Sequence, residues 1–327
     1  MKSEDRFVER LRGLVPESTR ALIGIGDDAA VLRGAPGDLV ATMDLLVERV
    51  DFLADESPEA VGRRAVAVNC SDLAAMGALP EWFLLGIAFP STRGEEFPLA
   101  IARGAATRGA ELGAELVGGD LSRAESVVVA VTLAGRCVSR PLRRSGAKPG
   151  EVVFVSGFPG RAAAGLRIAR GTTGGLSDRT EKELLAAYRD PEPRLALGRR
   201  LAAEGLATAA IDVSDGLGVD AGRLARASGA RVVIERERLP LSPALAEFFD
   251  HAGGDPLDAI LAGGDDYELL FTSPPDFAAR VDEAGRDAGT RATRIGRVEE
   301  GAGVVLEDAA GTHEVSSLGY DHFEARR

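Results

Sequence analysis

Cysteine is scarce in this 327-residue chain, with Cys70 and Cys137 the only two. A secreted disulfide framework needs more, so the expectation is an intracellular protein with free thiols. Histidine is nearly as rare. His251, His313 and His322 are the only ones, and none stands at a zinc-ligand spacing from either cysteine. No apolar run approaches the ~18 residues of a membrane span. Residues 1–12 alternate charges and lack the apolar stretch of a signal peptide. A cytoplasmic protein with no membrane partner is therefore expected. A basic surplus is missing as well. The chain has 39 Lys plus Arg against 51 Asp plus Glu, a net charge of −12, which argues against nucleic acid as a partner. Neither G-x-x-x-x-G-K-[ST] nor the catalytic loop of protein kinases occurs. If phosphates bind here, metals and arginines must hold them in place of a P-loop lysine.

What the chain does have is an alternation of strand-like and helix-like runs. Its length suits two domains, because a single core stops growing at roughly 250–300 residues. A hydrophobic share of 45% is enough for a sizeable core. Residues 39–43 (LVATM), 82–89 and 126–138 read as strands. Residues 58–77 and 95–112 read as helices, the first with Pro in its opening turn and Gly at its close. Residues 139–150 (SRPLRRSGAKPG) are basic, rich in Pro and Gly, and break the periodicity. They mark a boundary between a domain over 1–140 and one over 141–327. Beyond it, 152–156 (VVFVS), 209–213 and 267–272 read as strands, 293–298 and 303–307 as short β-like runs, and 215–227 as a helix. Helical runs also follow the glycine-punctuated turn at 157–160. Strands in clusters and mixed order predict a mixed α/β (α+β) fold in each half.

The aspartates carry the chemistry. Gly24-Ile25-Gly26-Asp27-Asp28-Ala29 mimics a dinucleotide fingerprint, but two carboxylates in such a loop would repel the phosphates unless divalent cations stood between them. It also fits an Asp-rich surface turn. Asp44 follows LVATM, as a carboxylate at a strand end beside a ligand cleft would, or as one opening a turn. Asp72 falls at helical spacing on the apolar stripe of Val61, Ala65 and Val68, where an unpaired carboxylate is costly. Either it has a cation, or Asn69-Cys70-Ser71 breaks the helix and lets it reach water. Gly118-Gly119-Asp120 places a carboxylate at another strand end. In Asp212-Val213-Ser214-Asp215-Gly216, Asp212 ends a strand, while Ser214 and Asp215 would also serve as helix caps. Oxygen-only ligands of this kind select hard cations, and Mg²⁺ typically bridges carboxylates to phosphates.

The segments GIGDDAAVL, TMDLLVERVDF, AVAVNCSDLAAMGALP, GGDLSR, RRSGAKPGEVVFVSG, AIDVSDGL, GGDDYELLFT and LGYDHF follow in order and cover nearly the whole chain. Together they resemble the motifs of the thiamine-monophosphate kinases, within the wider superfamily of aminoimidazole-ribotide synthetase. The resemblance implies a two-domain fold whose N-terminal domains pair into a homodimer through a shared β-barrel. It implies ATP-dependent phosphorylation of thiamine monophosphate to thiamine diphosphate, by direct in-line γ-phosphoryl transfer with several Mg²⁺ ions and no general base. By position, Asp28, Thr42, Met43, Asp44, Asp72, Asp120, Asp212 and Asp215 match the metal ligands, Met43 only through its carbonyl. Gly119, Asp120, Arg144 and Ser214 match the ATP contacts. Asp51, Asp265 and Ser317 fall where the family contacts thiamine phosphate, at positions typically His, Glu and an aromatic residue. The alternative is a related ATP-dependent synthetase or kinase of the same superfamily. Hydrogenase-maturation relatives use a C-terminal cysteine, whereas this chain ends Glu324-Ala325-Arg326-Arg327; selenophosphate synthetases carry an early Cys or selenocysteine, whereas no cysteine precedes Cys70.

Overall fold

The computed structural model describes residues 10–15, 18–23, 31–32, 34, 36–137, 139–172 and 175–320. They fall into two units, Met1–Leu73 with Ala78–Val138, and Ala74–Gly77 with Ser139–Arg327. The Gly24–Ala29 loop, and Asp28 with it, lies outside the described residues.

After a small ribbon of β1 (Ala21–Ile23) and β2 (Val31–Leu32), the first unit runs β3 (Asp38–Val47), α1 (Pro58–Met76), β4 (Leu79–Phe89), α2 (Glu96–Leu112), β5 (Glu115–Arg123) and β6 (Val128–Cys137). The sheet order is β3-β6-β4-β5, with β4 and β5 parallel and joined through α2. Alternation decides its two faces. Val129, Val131, Leu133, Phe83, Leu85 and Ile87 are buried, while on β3 the intervening Leu39, Met43 and Leu45 are 55%, 58% and 53% exposed.

Two strands run further than the sequence suggests. Asp44 does not end β3, because LLV continues the alternation, and it pairs with Val131 in mid-strand. Asp120 does not end β5 either, since Gly118 to Ser122 stay paired with β4. Gly119 is needed inside that strand, where a Cβ would lie 2.0 Å from the Leu85 carbonyl oxygen. Helix α1 is unbroken through Asn69-Cys70-Ser71, all three fully buried. The helix is thus surrounded by protein rather than amphipathic.

In the second unit the elements are β7 (Val152–Ser156), α3 (Arg161–Ala169), α4 (Asp178–Arg189), α5 (Leu195–Ala203), β8 (Ala209–Val213), α6 (Leu217–Ser228), β9 (Arg231–Glu235), α7 (Pro243–Ala252), α8 (Pro256–Ala262), β10 (Glu268–Ser273), α9 (Ala278–Asp287), β11 (Ala292–Glu299), β12 (Val304–Asp308) and β13 (Gly311–Glu314). They build a seven-stranded sheet ordered β13-β12-β9-β11-β7-β10-β8, antiparallel except for β12 beside β9. Both faces are covered. Val153, Val155, Ile211, Val213 and Leu270 join one core with α6 and α7, and Val152, Phe154, Ala210, Leu269 and Phe271 join the other with α5 and α9. That is why VVFVS and AAIDV read as continuous apolar runs.

Helices α1 and α2 meet at glycines. A Cβ on Gly62 would sit 2.0 Å from the Ile101 carbonyl oxygen, and one on Gly104 would sit 2.1 Å from that of Glu59. Gly62→Ala should therefore lower stability by about 1–3 kcal/mol, although alanine is the better helix former by about 1 kcal/mol. A urea melt reads this directly. An unchanged or raised midpoint would show that the helices do not touch there.

Candidate active site

In the first unit the expected residues gather where β3 faces α1. Thr42 Oγ1 donates to Asp72 Oδ2 at 2.5 Å, and the Asp44 N–H donates to Asn69 Oδ1 at 3.1 Å. Asn69 in turn donates to the Ala65 carbonyl at 2.8 Å. An asparagine inside a helix thus holds the backbone of an edge strand, and Thr42, Asp44 and Asp72 share one face of the sheet. Met43 points its side chain to the opposite, exposed face. Asp120 pairs with Gly86, in the row of Ala130 and Leu45, so its exposed side chain is also on that opposite face. Among the described residues no three His, Cys, Asp or Glu side chains are grouped as a metal site. Among the described residues Asp120 therefore does not join Asp44 and Asp72 in one three-carboxylate cluster. Asp51 is tied to the turn after β3, its Oδ2 accepting the Val47 N–H at 2.8 Å.

The second unit brings its share together through main-chain bonds. The Asp265 N–H donates to the Ser214 carbonyl at 2.7 Å, the Tyr267 N–H to that of Val213 at 2.8 Å, and the Tyr320 N–H to that of Asp215 at 2.8 Å. The Val219 N–H donates to the Leu318 carbonyl at 3.0 Å. Residues far apart in sequence, Ser214, Asp215, Asp265 and Ser317, therefore lie on adjoining loops at one end of β8 and α6. Asp212 is on β8 itself, 5% exposed, while Ser317 is exposed. Asp265 and Tyr267 have φ of 64° and 51°, the left-handed region that non-glycine residues rarely adopt. The tethers to Ser214 and Val213 are what hold them there.

Ser214 and Asp215 are not caps of α6, whose N-cap is Gly216 with no side-chain cap bond. Their own N–H groups are held instead by Asp220, at 3.0 and 2.9 Å. Asp220 is fully buried, and burial pushes its carboxyl up to about 6 against the pull of those N–H groups and Arg223. Sequence reasoning missed both Asp220 and Asn69. Each acts through the backbone of a neighbour, and the one signal for Asp220 is a carboxylate one turn into a helix, which usually means a solvated face. Arg144 is exposed, but its loop is anchored, since Ser228 Oγ donates to its carbonyl at 3.2 Å and the Ala210 N–H donates to that of Arg143 at 2.8 Å.

The turn between β7 and α3 has the strand–glycine–helix form of a phosphate cradle, yet the protein fills it with its own acid. Asp266 accepts the N–H groups of Gly160 at 2.7 Å and Ala162 at 3.2 Å. Beside it, Glu268 takes both prongs of Arg194 at 2.6 Å and the Ser156 hydroxyl at 2.5 Å. Burial opposes ionisation of Glu268, but Arg194, Ser156 and Arg161 outweigh it and hold the carboxyl below its ordinary value. For Asp266 burial prevails over the N–H donors, and with the Glu268 charge nearby the carboxyl rises to about 8 from an ordinary 3.8.

The folded protein therefore keeps a proton on Asp266 that the unfolded chain releases, and stability contributed by this group falls as pH rises from about 4 to 8. Asp266→Asn has no such proton. Its stability relative to the parent should rise steadily between about pH 5 and 8 in urea titrations. A difference independent of pH would overturn this account.

Comparison with known proteins bears on both units. Residues 26–137 match the family described as AIR synthase related protein, N-terminal domain, and residues 148–309 match its C-terminal domain. The chain is similar to the thiamine-monophosphate kinase of Caulobacter vibrioides, 38% identical and covering 97% of this chain and 90% of that one. A crystal structure of thiamine-monophosphate kinase from Stenotrophomonas maltophilia superposes with a TM-score of 0.82 at 35% identity, covering 92% and 95% of the two chains. AaThiL complexed with AMPPCP and TMP superposes at 0.79 and 35% identity, covering 91% and 92%. The hydrogenase maturation protein HypE in complex with ATP reaches 0.80 at only 19% identity, a likeness of fold alone.

Proposed function

This chain belongs to the thiamine-monophosphate kinases, on the AIR synthase related fold, and from that premise we propose how its residues carry out the transfer. The reaction moves the γ-phosphoryl group of ATP onto the phosphate of thiamine monophosphate, giving thiamine diphosphate. The observation that carries the reading is the junction of the Ser214–Asp215, Asp265 and Ser317 loops on one set of main-chain bonds. It joins residues expected to meet nucleotide, metal and acceptor.

The acceptor oxygen is already ionised near neutral pH, so the protein needs no general base. Its task is to hold two anions close and in line. The donor set fits magnesium by its chemistry, being carboxylates, a threonine hydroxyl and a backbone carbonyl without thiolate or imidazole. We assign Asp28, Thr42, Met43, Asp44, Asp72 and Asp120 of the first half, and Asp212 and Asp215 of the second, as the residues that would hold several such ions, Asp120 on the other face of its sheet from Asp44 and Asp72. Bound there, magnesium would supply neutralisation of phosphate charge. Gly119, Asp120, Arg144 and Ser214 are assigned to ATP, and Asp51, Asp265 and Ser317 to thiamine monophosphate. Within this reading, residues 1–140 form the ATP, metal and dimerisation domain and 141–327 the C-terminal domain. A cytoplasmic location suits the use of ATP, and no described helix is long and apolar enough to cross a membrane.

Asp44→Asn and Asp72→Asn should each abolish most thiamine diphosphate formation while far-ultraviolet circular dichroism stays as in the parent. Near-parental turnover in either variant at saturating Mg²⁺ would remove that residue from the metal set.

The same reading assigns a homodimer. The open face of the first unit's sheet supports it, since Leu39, Met43 and Leu45 of β3 and Leu84 of β4, on either side of β6, are exposed there. Light scattering at micromolar concentration should give twice the chain mass, and Leu45→Asp should shift the mass towards that of one chain. A single-chain mass for the parent protein rules the dimer out.

A further inference from the structure

We propose that Asp220 and Arg223 are positioning residues that set Ser214 and Asp215 for the nucleotide and its metal. The inference rests on the assignment of Asp215 to metal and Ser214 to ATP made above.

Their bonds form a closed circuit. Asp220 Oδ2 accepts the N–H groups of Ser214 and Asp215, fixing the backbone of both. Arg223 Nη1 pairs with Asp220 Oδ1 at 2.5 Å, and Arg223 Nη2 pairs with Asp215 Oδ2 at 2.5 Å. Asp220 thus holds the main chain at 214–215 while Arg223 holds the Asp215 side chain. The other end of the loop is tied down by Tyr320, whose N–H donates to the Asp215 carbonyl at 2.8 Å.

The circuit is more than a helix start requires. A serine or aspartate at the N-cap would satisfy the first N–H groups while staying in water. Here the cap is Gly216, and the acid that replaces it is wholly desolvated, which is unfavourable unless every bond is made. What the buried acid adds is a fixed geometry at 214–215. Arg223 engages one oxygen of Asp215, and among the described residues no other hydrogen bond or ion pair uses that carboxylate, so Oδ1 is left for a cation. Two carboxylates and one guanidinium keep the cluster net negative, as a cation site requires.

The test uses the full-length protein, with Mn²⁺ as the probe in electron paramagnetic resonance titrations beside steady-state kinetics. Arg223→Gln takes one partner from the buried Asp220, so a moderate fall in melting temperature is expected, and binding is read well below that temperature. The substitution should weaken Mn²⁺ binding and raise KM for ATP by about tenfold each, the usual scale for losing an outer partner of a metal ligand. KM for thiamine monophosphate should not move. In an Asp215→Asn background Arg223→Gln should change Mn²⁺ binding no further, because the side chain it positions has lost its charge. Mn²⁺ binding that is unchanged or tighter in Arg223→Gln overturns the proposal, as does a fall in melting temperature with no selective effect on ATP. Asp215→Asn alone reports on the underlying assignment. Parental Mn²⁺ binding in that variant would sink the metal role of Asp215. Loss there without loss in Arg223→Gln would sink the positioning role alone.

Discussion

A buried carboxylate must find hydrogen-bond donors, and the loops of the second unit are arranged around that demand. Asp220, Asp266 and Glu268 take their donors from the main chain at the starts of α6 and α3, from the Ser156 hydroxyl and from arginines. Each acid that is satisfied fixes the backbone supplying its donors. The Ser214–Asp215 loop is held by Asp220, and the Asp265–Tyr267 loop is anchored by Asp266 within it and by Glu268 next to it. Removing any one acid would leave at least two of these donors without that partner, which costs more than losing an average hydrogen bond wherever the donor is buried.

Under the proposed assignment, electrostatics also favours acids for the chemistry. Two phosphate-bearing substrates repel one another, and a site lined with lysines would bind each tightly without bringing them into line. Oxygen ligands that recruit divalent cations put the positive charge between the anions instead. Residues of the first unit suit this. Thr42, Asp44 and Asp72 offer oxygen alone, and Asn69 fixes the strand that bears two of them.

Much of this frame is legible in the sequence, for identifiable reasons. β7 and β8 read to the residue because both faces of their sheet are buried and their apolar runs are uninterrupted. α1 is bracketed by Pro58 and Gly77. The reading fails where glycine interrupts a strand for packing reasons, as in β5, where Gly119 accommodates the Leu85 carbonyl. It also misses β9 and the short helices α7 and α8, which offer too few residues to establish a period. Candidate aspartates are visible as residues in motifs, but their facing is not. That Asp44 and Asp120 fall on opposite faces follows from the register of β3, β6, β4 and β5, which no local pattern encodes. Asn69 and Asp220 are silent for the same reason, since each acts on the main chain of a distant or differently structured segment.

Backbone conformation also bears on the acid at position 265. Asp265 has a φ of 64°, between Gly264 at 70° and a following loop that returns to the left-handed region at Tyr267. Among charged residues aspartate tolerates this region well, because its short side chain can bond locally. Tyr267 supplies such a bond, its hydroxyl donating to Asp265 Oδ1 at 3.2 Å. Glutamate would reach further but would meet the same backbone restriction with a longer chain to order. The shorter acid therefore trades reach for a carboxylate fixed by its own loop. Under the proposed assignment of Asp265 to the acceptor, this loop presents a negative charge at a position fixed by its own backbone.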